Sequence, residues 1–191
     1  MKRYAIFGGT FDPVHLGHLK LAETAKDAVK LDRVIFVPCW KSPFKSRTVA
    51  TGEQRLEMLN LAIEELEFQD WAEVSDYEIN RPEPSYSWQT TEAFRDQFYA
   101  DEESIEWHWI MGTDQWDQLE EWAEPEKLRE LLEFIVVTRD GDEVTPKDDW
   151  KFQAINFDHP ASATKIRENR NRYQDWLPES VVKYCEKNLI Y

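Results

Sequence analysis

Apolar residues recur along the chain in two alternating rhythms. Tyr4 to Phe7 is a short continuous apolar run that stops at Gly8-Gly9, the pattern of a strand buried on both faces. From Leu16 to Val29 the period changes. Leu16, Leu19, Ala22 and Val29, joined by Leu21, Ala25 and Ala28, make a broad apolar helical face. Arg33 to Pro38 (RVIFVP) returns to β-branched residues and is closed by proline. Lys41 to Thr51 is polar and basic, and reads as a loop. Glu53 to Glu65 is a second amphipathic helix through Leu56, Leu59, Ile63 and Leu66. A short strand follows at Ala72–Ser75, a helix at Ser87–Tyr99, and a strand at Ile105–Met111 (IEWHWIM) that stops at Gly112. After a helical stretch rich in Trp and Glu come strands at Phe134–Thr138 and Phe152–Phe157. Helices at Thr164–Arg172 and Glu179–Asn188 end the series. Strands alternating with helices predict an α/β fold with a mostly parallel sheet.

There is no internal repeat and no low-complexity tract. At 191 residues the chain reads as one domain, 1–191, with the helical part from about 160 onward packing on the same core. The 38 acidic against 23 basic residues leave a net charge of -15. Such a chain has no global attraction for nucleic acid or for an anionic membrane, so any anion site must be built locally. Cys39 and Cys185 are too few and too distant in sequence to suggest a disulfide framework, which suits a reducing compartment. No apolar stretch approaches a signal-peptide core or a membrane span, and a cytoplasmic location is expected.

Gly8-Gly9-Thr10-Phe11-Asp12-Pro13-Val14-His15-Leu16-Gly17-His18 sits where the first strand hands over to the first helix. In open parallel sheets ligands bind outside the carboxyl ends of the strands. The glycine pair would let a phosphate approach the backbone, and Pro13 suits a first helical turn. The N–H groups of that turn would form an anion site. His15 and His18 share a helix face, and Gly17 between them leaves space for a ligand. Two other readings compete. The histidines could cap and pack, or they could hold zinc, although no third ligand stands at suggestive spacing.

The combination of glycine pair, helix start and His-x-Gly-His resembles the nucleotidyltransferases of that signature, which share a Rossmann-like fold with helices on both faces of the sheet. The Gly-Gly-Thr-Phe-Asp-Pro prefix narrows the resemblance to the bacterial-type nicotinate mononucleotide adenylyltransferases. Lys41, Pro43 and Lys45 after Val37-Pro38 look like the family's lysine-bearing loop, with Phe44 where the family usually has histidine. Arg55 and Met58 match the next helix. Ser85-Tyr86-Ser87 resembles the Ser-Tyr-Thr turn, with Ser87 for threonine. Gly112-Thr113-Asp114, Leu119 and Trp122 resemble the Gly-x-Asp…Leu…Trp segment. Ser162-Ala163-Thr164-Lys165-Ile166-Arg167 resembles Ser-Ser-Thr-x-Ile-Arg, with Ala163 for the second serine. Matching segments run from Tyr4 to Tyr191.

The resemblance implies adenylyl transfer from ATP to nicotinate mononucleotide, with nicotinate adenine dinucleotide and pyrophosphate as products. It assigns His15, His18 and Arg167 to catalysis. It assigns ATP to Gly8, Gly9, Thr10, Phe11, His15, His18, Gly112, Asp114, Ser162, Thr164 and Arg167. It assigns the mononucleotide to Lys41, Lys45, Ser85, Tyr86, Ser87 and Trp122. Mg²⁺ would arrive with ATP, bridging phosphate oxygens and needing no carboxylate cage, so no protein metal site is expected. A helix start lowers a histidine's pKa and a bound polyphosphate raises it, which leaves the protonation of His15 and His18 open. His108 and His159 read as structural. The resemblance also leaves a homodimer open.

Other functions compete. Nicotinamide mononucleotide or phosphopantetheine could be the acceptor. A nucleotide sensor without turnover would need fewer phosphate donors. Class I aminoacyl-tRNA synthetases carry a similar histidine element, but they need a larger chain and a basic face.

Overall fold

The computed structural model describes residues 1–40, 49–81, 83, 85–98, 104–139 and 143–191. Six strands are present among them: β1 Lys2–Gly9, β2 Arg33–Pro38, β3 Ala72–Val74, β4 Ile105–Gly112, β5 Glu133–Thr138 and β6 Phe152–Asn156. They form one parallel sheet in the order β3-β2-β1-β4-β5-β6. Ile6 lies opposite Ile35 of β2 on one side and Trp109 of β4 on the other. This is a Rossmann-like α/β fold. The strand order reverses between β1 and β4, so a crevice opens outside their carboxyl ends, at Gly9 and Gly112.

Successive strand residues point to opposite faces, and the two faces bury different material. Ala5 and Phe7 pack with helix α1 (Leu16–Val29) through Leu19, Ala22 and Ala25. They also pack with α2 (Gly52–Glu65) through Met58, Leu59 and Ala62, and with α8 (Glu179–Asn188) through Val181 and Cys185. Tyr4 and Ile6 face the other way, toward α3 (Ser87–Phe98), α4 (Thr113–Asp117) and α5 (Pro125–Leu131). That second core is aromatic, with Trp107, Trp109, Trp116, Phe134 and Trp150 all buried in it. Helices thus cover both faces.

Local chemistry explains most element ends. Thr51 Oγ accepts from the N–H of Gln54, and Gln54 Oε1 accepts from that of Thr51, a reciprocal cap that starts α2 at Gly52. Pro125 opens α5, where its missing N–H is not needed. The carboxylate of Glu65 accepts from the N–H groups of Glu179 at 2.9 Å and Ser180 at 2.6 Å, capping α8 from α2.

Two stretches differ from their sequence reading. Thr164–Arg172 is two short helices, α6 (Ala163–Glu168) and α7 (Arg170–Tyr173). Asn169 breaks them because its side chain accepts from the N–H of Arg172 at 3.1 Å, competing with the helix. The Trp- and Glu-rich stretch divides into α4, a 3-10 turn at Leu119–Glu121, and α5. Helix α3 is described to Phe98; Tyr99 lies outside the described residues. Among the described residues no helix is long and apolar enough to cross a membrane.

Candidate functional site

The signature lies at the strand-order reversal, as the end of β1, a turn and the start of α1. His15 is the residue that caps α1 and His18 stands in its first turn. Their rings stack at 3.7 Å with 20° between planes. The N–H of His15 donates to His18 Nδ1 at 3.3 Å. Nδ1 is therefore unprotonated, and the proton of neutral His18 sits on Nε2, on the opposite side of the ring. The carbonyl of His15 accepts from the N–H groups of His18 and Leu19, so those of Leu16 and Gly17 precede the first intrahelical bond.

His15 is buried. Burial first, and the neighbouring His159 second, push its pKa down from 6.5 to about 3. It is neutral at physiological pH, and its Nδ1 is buried without a hydrogen-bond partner among the described residues. A buried orphan nitrogen beside a helix start is an unusual thing for a fold to keep.

Three readings of the turn change in the structure. Pro13 precedes the helix cap instead of occupying the first helical turn, and its bond to Asp12 is cis. The space beside the glycine pair is filled by side chains: a Cβ on Gly8 would lie 3.0 Å from the Trp109 ring, and one on Gly9 2.9 Å from the Phe11 ring. The glycines admit aromatic packing. Gly17 likewise makes room for protein, since a Cβ there would meet the His15 ring at 3.0 Å and His159 Nδ1 at 3.2 Å. His159 is thus part of the site's wall. Phe11 is buried at a left-handed φ of 48° and turns its ring edge toward His18 at 5.1 Å. Its side chain belongs to the core.

Asp12 is the hub of this region. Its buried carboxylate accepts from the N–H groups of Val49 at 2.9 Å and Ala50 at 3.0 Å, and from the hydroxyl of Tyr191. Its carbonyl accepts from Arg167 Nη1 at 2.6 Å. Arg167 Nη2 donates to Thr164 Oγ1 at 3.0 Å, and Ser162 caps α6 by accepting from Lys165 N–H. The fold therefore brings Ser162, Thr164 and Arg167 to the turn containing His15 and His18, about 150 residues away in sequence.

Arg55 lies on the apolar face of α2 and is fully buried. It donates to the carbonyls of Thr10 at 2.7 Å and Trp40 at 3.3 Å, clamping the turns after β1 and β2 together. Its phase on the helix, in line with Leu59 and Ile63, was the available sequence signal. Asp12 stands in the Gly-Gly-Thr-Phe-Asp-Pro prefix, but its pairing with Tyr191 left no signal, because the partners are remote.

The end of β4 adds Gly112 and Asp114, whose Oδ1 lies 2.6 Å from the point a Gly112 Cβ would occupy. Trp122 packs edge-to-face on Trp109 at 6.3 Å, and Trp109 covers Gly8. That chain of contacts joins Trp122 to the end of β1. The indole N–H of Trp122 and the hydroxyl of Ser85 are buried without partners among the described residues. Ser85 and Tyr86 precede α3 and Ser87 begins it, with Tyr86 exposed. Nearby, Glu78 is buried, and burial raises its pKa from 4.5 to about 7 against the Thr90 hydroxyl, which donates to it at 2.8 Å. Lys41 and Lys45, with Phe44, lie outside the described residues.

One group of side chains with metal-ligating geometry occurs among the described residues, at the opposite, amino-terminal ends of β4 and β5. Glu106, His108 and Glu133 place ligand atoms within 4.8 Å of one another. Arg3 Nε lies 3.2 Å from Glu106 and Lys151 Nζ 3.2 Å from Glu133. Both carboxylates are thus already paired with cations, and burial lowers the pKa of His108, whose Nε2 lies 3.0 Å from Glu106.

The sheet order, with His15-Leu16-Gly17-His18 at its reversal, makes this a Rossmann-like α/β protein that carries a His-x-Gly-His motif. A family model described as cytidylyltransferase-like matches residues 6–169. A protein of Methylacidiphilum infernorum (isolate V4) named "Probable nicotinate-nucleotide adenylyltransferase" is 38% identical over 99% of this chain and 92% of its own length. One of the same name from Aliarcobacter butzleri is 34% identical over 86% of each. The fold matches that of Plasmodium falciparum nicotinic acid mononucleotide adenylyltransferase complexed with NaAD, with a TM-score of 0.76 at 17% identity over 98% of this chain and 96% of that one. The same enzyme complexed with APC gives 0.75. The chain belongs to the cytidylyltransferase-like family and, within it, to the nicotinate-nucleotide adenylyltransferases.

Proposed function

We propose that this chain transfers the adenylyl group of ATP to nicotinate mononucleotide, forming nicotinate adenine dinucleotide and pyrophosphate, a step of NAD biosynthesis. The observation that carries the reading is the stacked His15/His18 pair at the start of α1, with Arg167 drawn to the same turn through Asp12. The relatives' names and the solved complexes support the same substrates.

The nucleophile is a phosphate oxygen of the mononucleotide. A phosphate monoester has a second pKa near 6, so it is largely a dianion at pH 7 and needs no general base. That oxygen bonds to the α-phosphorus of ATP as the bond from the α-phosphorus to the bridging oxygen breaks, and pyrophosphate leaves with the electron pair. The protein's task is to hold two polyanions together and to stabilise charge on the leaving group.

His18 presents its Nε2–H as a donor, an assignment supported by its Nδ1 accepting from His15 N–H. His15, neutral in the site, adds a second imidazole, and the start of α1 adds positive potential. Arg167 keeps N–H groups beyond the two it uses on Asp12 and Thr164, enough for a phosphate. Gly8, Gly9, Thr10, Gly112 and Asp114 would line the adenosine side, through backbone at the glycines. On the acceptor side we assign Lys41, Lys45, Ser85, Tyr86, Ser87 and Trp122. The unpartnered Ser85 hydroxyl and Trp122 indole N–H support that assignment as donors awaiting acceptors.

Mg²⁺ would enter as part of the nucleotide. The Asp12 carboxylate already accepts from Val49, Ala50 and Tyr191, so phosphate oxygens and water would hold the ion. The free cysteines, Cys39 and Cys185, agree with a cytoplasmic location.

Pyrophosphate release tests the reading. The chain is mixed with MgATP and, separately, nicotinate mononucleotide, nicotinamide mononucleotide or phosphopantetheine. Release with the first, at a kcat/KM well above the others, is expected. Preference for the amide would overturn the acceptor, and release with none of them would overturn the activity.

A further inference from the structure

His159 stands outside the signature, yet it adds a contact, besides the Arg167–Asp12 hydrogen bond, between the two segments that carry His15 and Arg167. One side of its ring faces α1: its Nδ1 lies 3.2 Å from the point a Gly17 Cβ would occupy, and the His15 ring lies 3.0 Å from the same point. That same Nδ1 accepts from the N–H of Ala161 at 3.1 Å. Ala161 leads directly into Ser162, the cap of the helix bearing Arg167. We propose that His159 is a positioning residue of the nucleotide site, whose unprotonated Nδ1 holds the Ala161–Ser162 turn, and with it Arg167, against the start of α1.

The proposal rests on the adenylyl-transfer reading and refines how that site is held. A neutral imidazole has one acceptor nitrogen, and an imidazolium has none. Protonating His159 therefore removes the acceptor of the Ala161 N–H and converts a joint into a repulsion. Among the described residues three charged or titratable groups face the ring. Lys20 from α1 opposes protonation, and Asp158 on its own segment favours it. His15, on the α1 cap, is itself affected by charge on His159. Burial and Lys20 together hold the His159 pKa below its usual 6.5, so the joint is intact at neutral pH and fails as the solution becomes acidic.

Asparagine separates positioning from titration, since its Oδ1 can accept from Ala161 N–H without being protonated. ATP affinity is measured by calorimetry, and ATP KM by turnover, for the wild-type chain, His159→Asn and His159→Ala at several values between about pH 8 and pH 5.5, the range in which histidines titrate. The wild-type chain should lose about fivefold in ATP affinity toward the acid end, the worth of one hydrogen bond. His159→Asn should match it at neutral pH and lose the acid decline. His159→Ala should bind ATP more weakly at every pH, with kcat changed less than KM. If His159→Ala fails to fold, the comparison with His159→Asn still decides. The proposal is overturned if His159→Asn follows the wild-type pH profile, if ATP binds more tightly in acid, or if His159→Ala equals the wild type. Failure of the wild-type chain to bind ATP at all would instead sink the adenylyl-transfer reading.

Discussion

The hydroxyl of Tyr191 donates to the carboxylate of Asp12, although 179 positions separate them. The same carboxylate takes the N–H groups of Val49 and Ala50, and the Asp12 carbonyl takes Arg167. Arg170 holds the adjoining backbone through the Ile190 carbonyl at 3.2 Å. Asp12 is thus satisfied from three separate stretches of chain. Its desolvation alone would be costly, and shared hydrogen bonds offset it.

Tyr191→Phe tests that hub. It removes one hydrogen bond to a charged group, worth about 1.5–3 kcal/mol, and leaves the ring's packing in place. A lowered urea midpoint with an unchanged m-value is expected, together with weaker ATP binding as Asp12 and Arg167 loosen. An unchanged midpoint would mean that the carboxylate finds water instead.

His18→Ala removes the Nε2–H donor and should lower kcat by roughly 10²–10³, the usual loss for one donor to a developing anion. Circular dichroism should show the fold retained, since His18 is only half-buried. Near-normal turnover would count against the phosphate role.

Gly17→Ala places a methyl group 3.0 Å from the His15 ring and 3.2 Å from His159. Overpacking of this kind costs about 1–3 kcal/mol. Here it is relieved by moving the imidazoles, so activity should fall further than stability does. Parallel measurement of Tm and kcat/KM checks this; equal retention of both would show that the rings move freely.

Trp122→Ala should raise KM for the mononucleotide by about three- to tenfold, the range of an aromatic contact beyond simple burial, while Trp122→Phe keeps most of the affinity. ATP binding should change little in either. An effect confined to ATP would remove Trp122 from the acceptor side.

Glu78 makes stability depend on pH. A carboxyl in the unfolded chain ionises near 4.5, whereas buried Glu78 holds its proton to about 7. Between those values the unfolded chain gives up a proton that the native one keeps. Stability from this group therefore falls as pH rises through the window and is lowest above it, by about 3 kcal/mol. Glu78→Gln keeps an acceptor for Thr90 and cannot ionise. Urea unfolding at pH 5 and pH 8 should show a smaller decline in the variant than in the wild type, and matching declines would place the titration elsewhere.

The elements of the fold were largely legible because they rest on local pattern. Leu16–Val29, Arg33–Pro38 and Glu179–Asn188 have the bounds that periodicity predicts. The misreadings came from competition invisible at that level. Asn169 prefers its own cap to a continuous helix, and Gly8 and Gly17 accommodate rings from distant positions, those of Trp109 and His159. His159 reads as structural from sequence, and its place beside the site emerges only when Gly17 is brought next to it.

The order of strands and helices, and the position of the histidine-bearing turn at the end of the first strand, were determined by the sequence alone, because hydrophobic period and turn chemistry act over a few neighbouring residues. Tertiary structure decided how that turn is held: Asp12 satisfied by Tyr191, Arg167 delivered to it, His15 kept neutral, and His159 set against Gly17. Each of these depends on burial and on partners far away in the chain, and both exist only once the sheet and its two helical layers have closed.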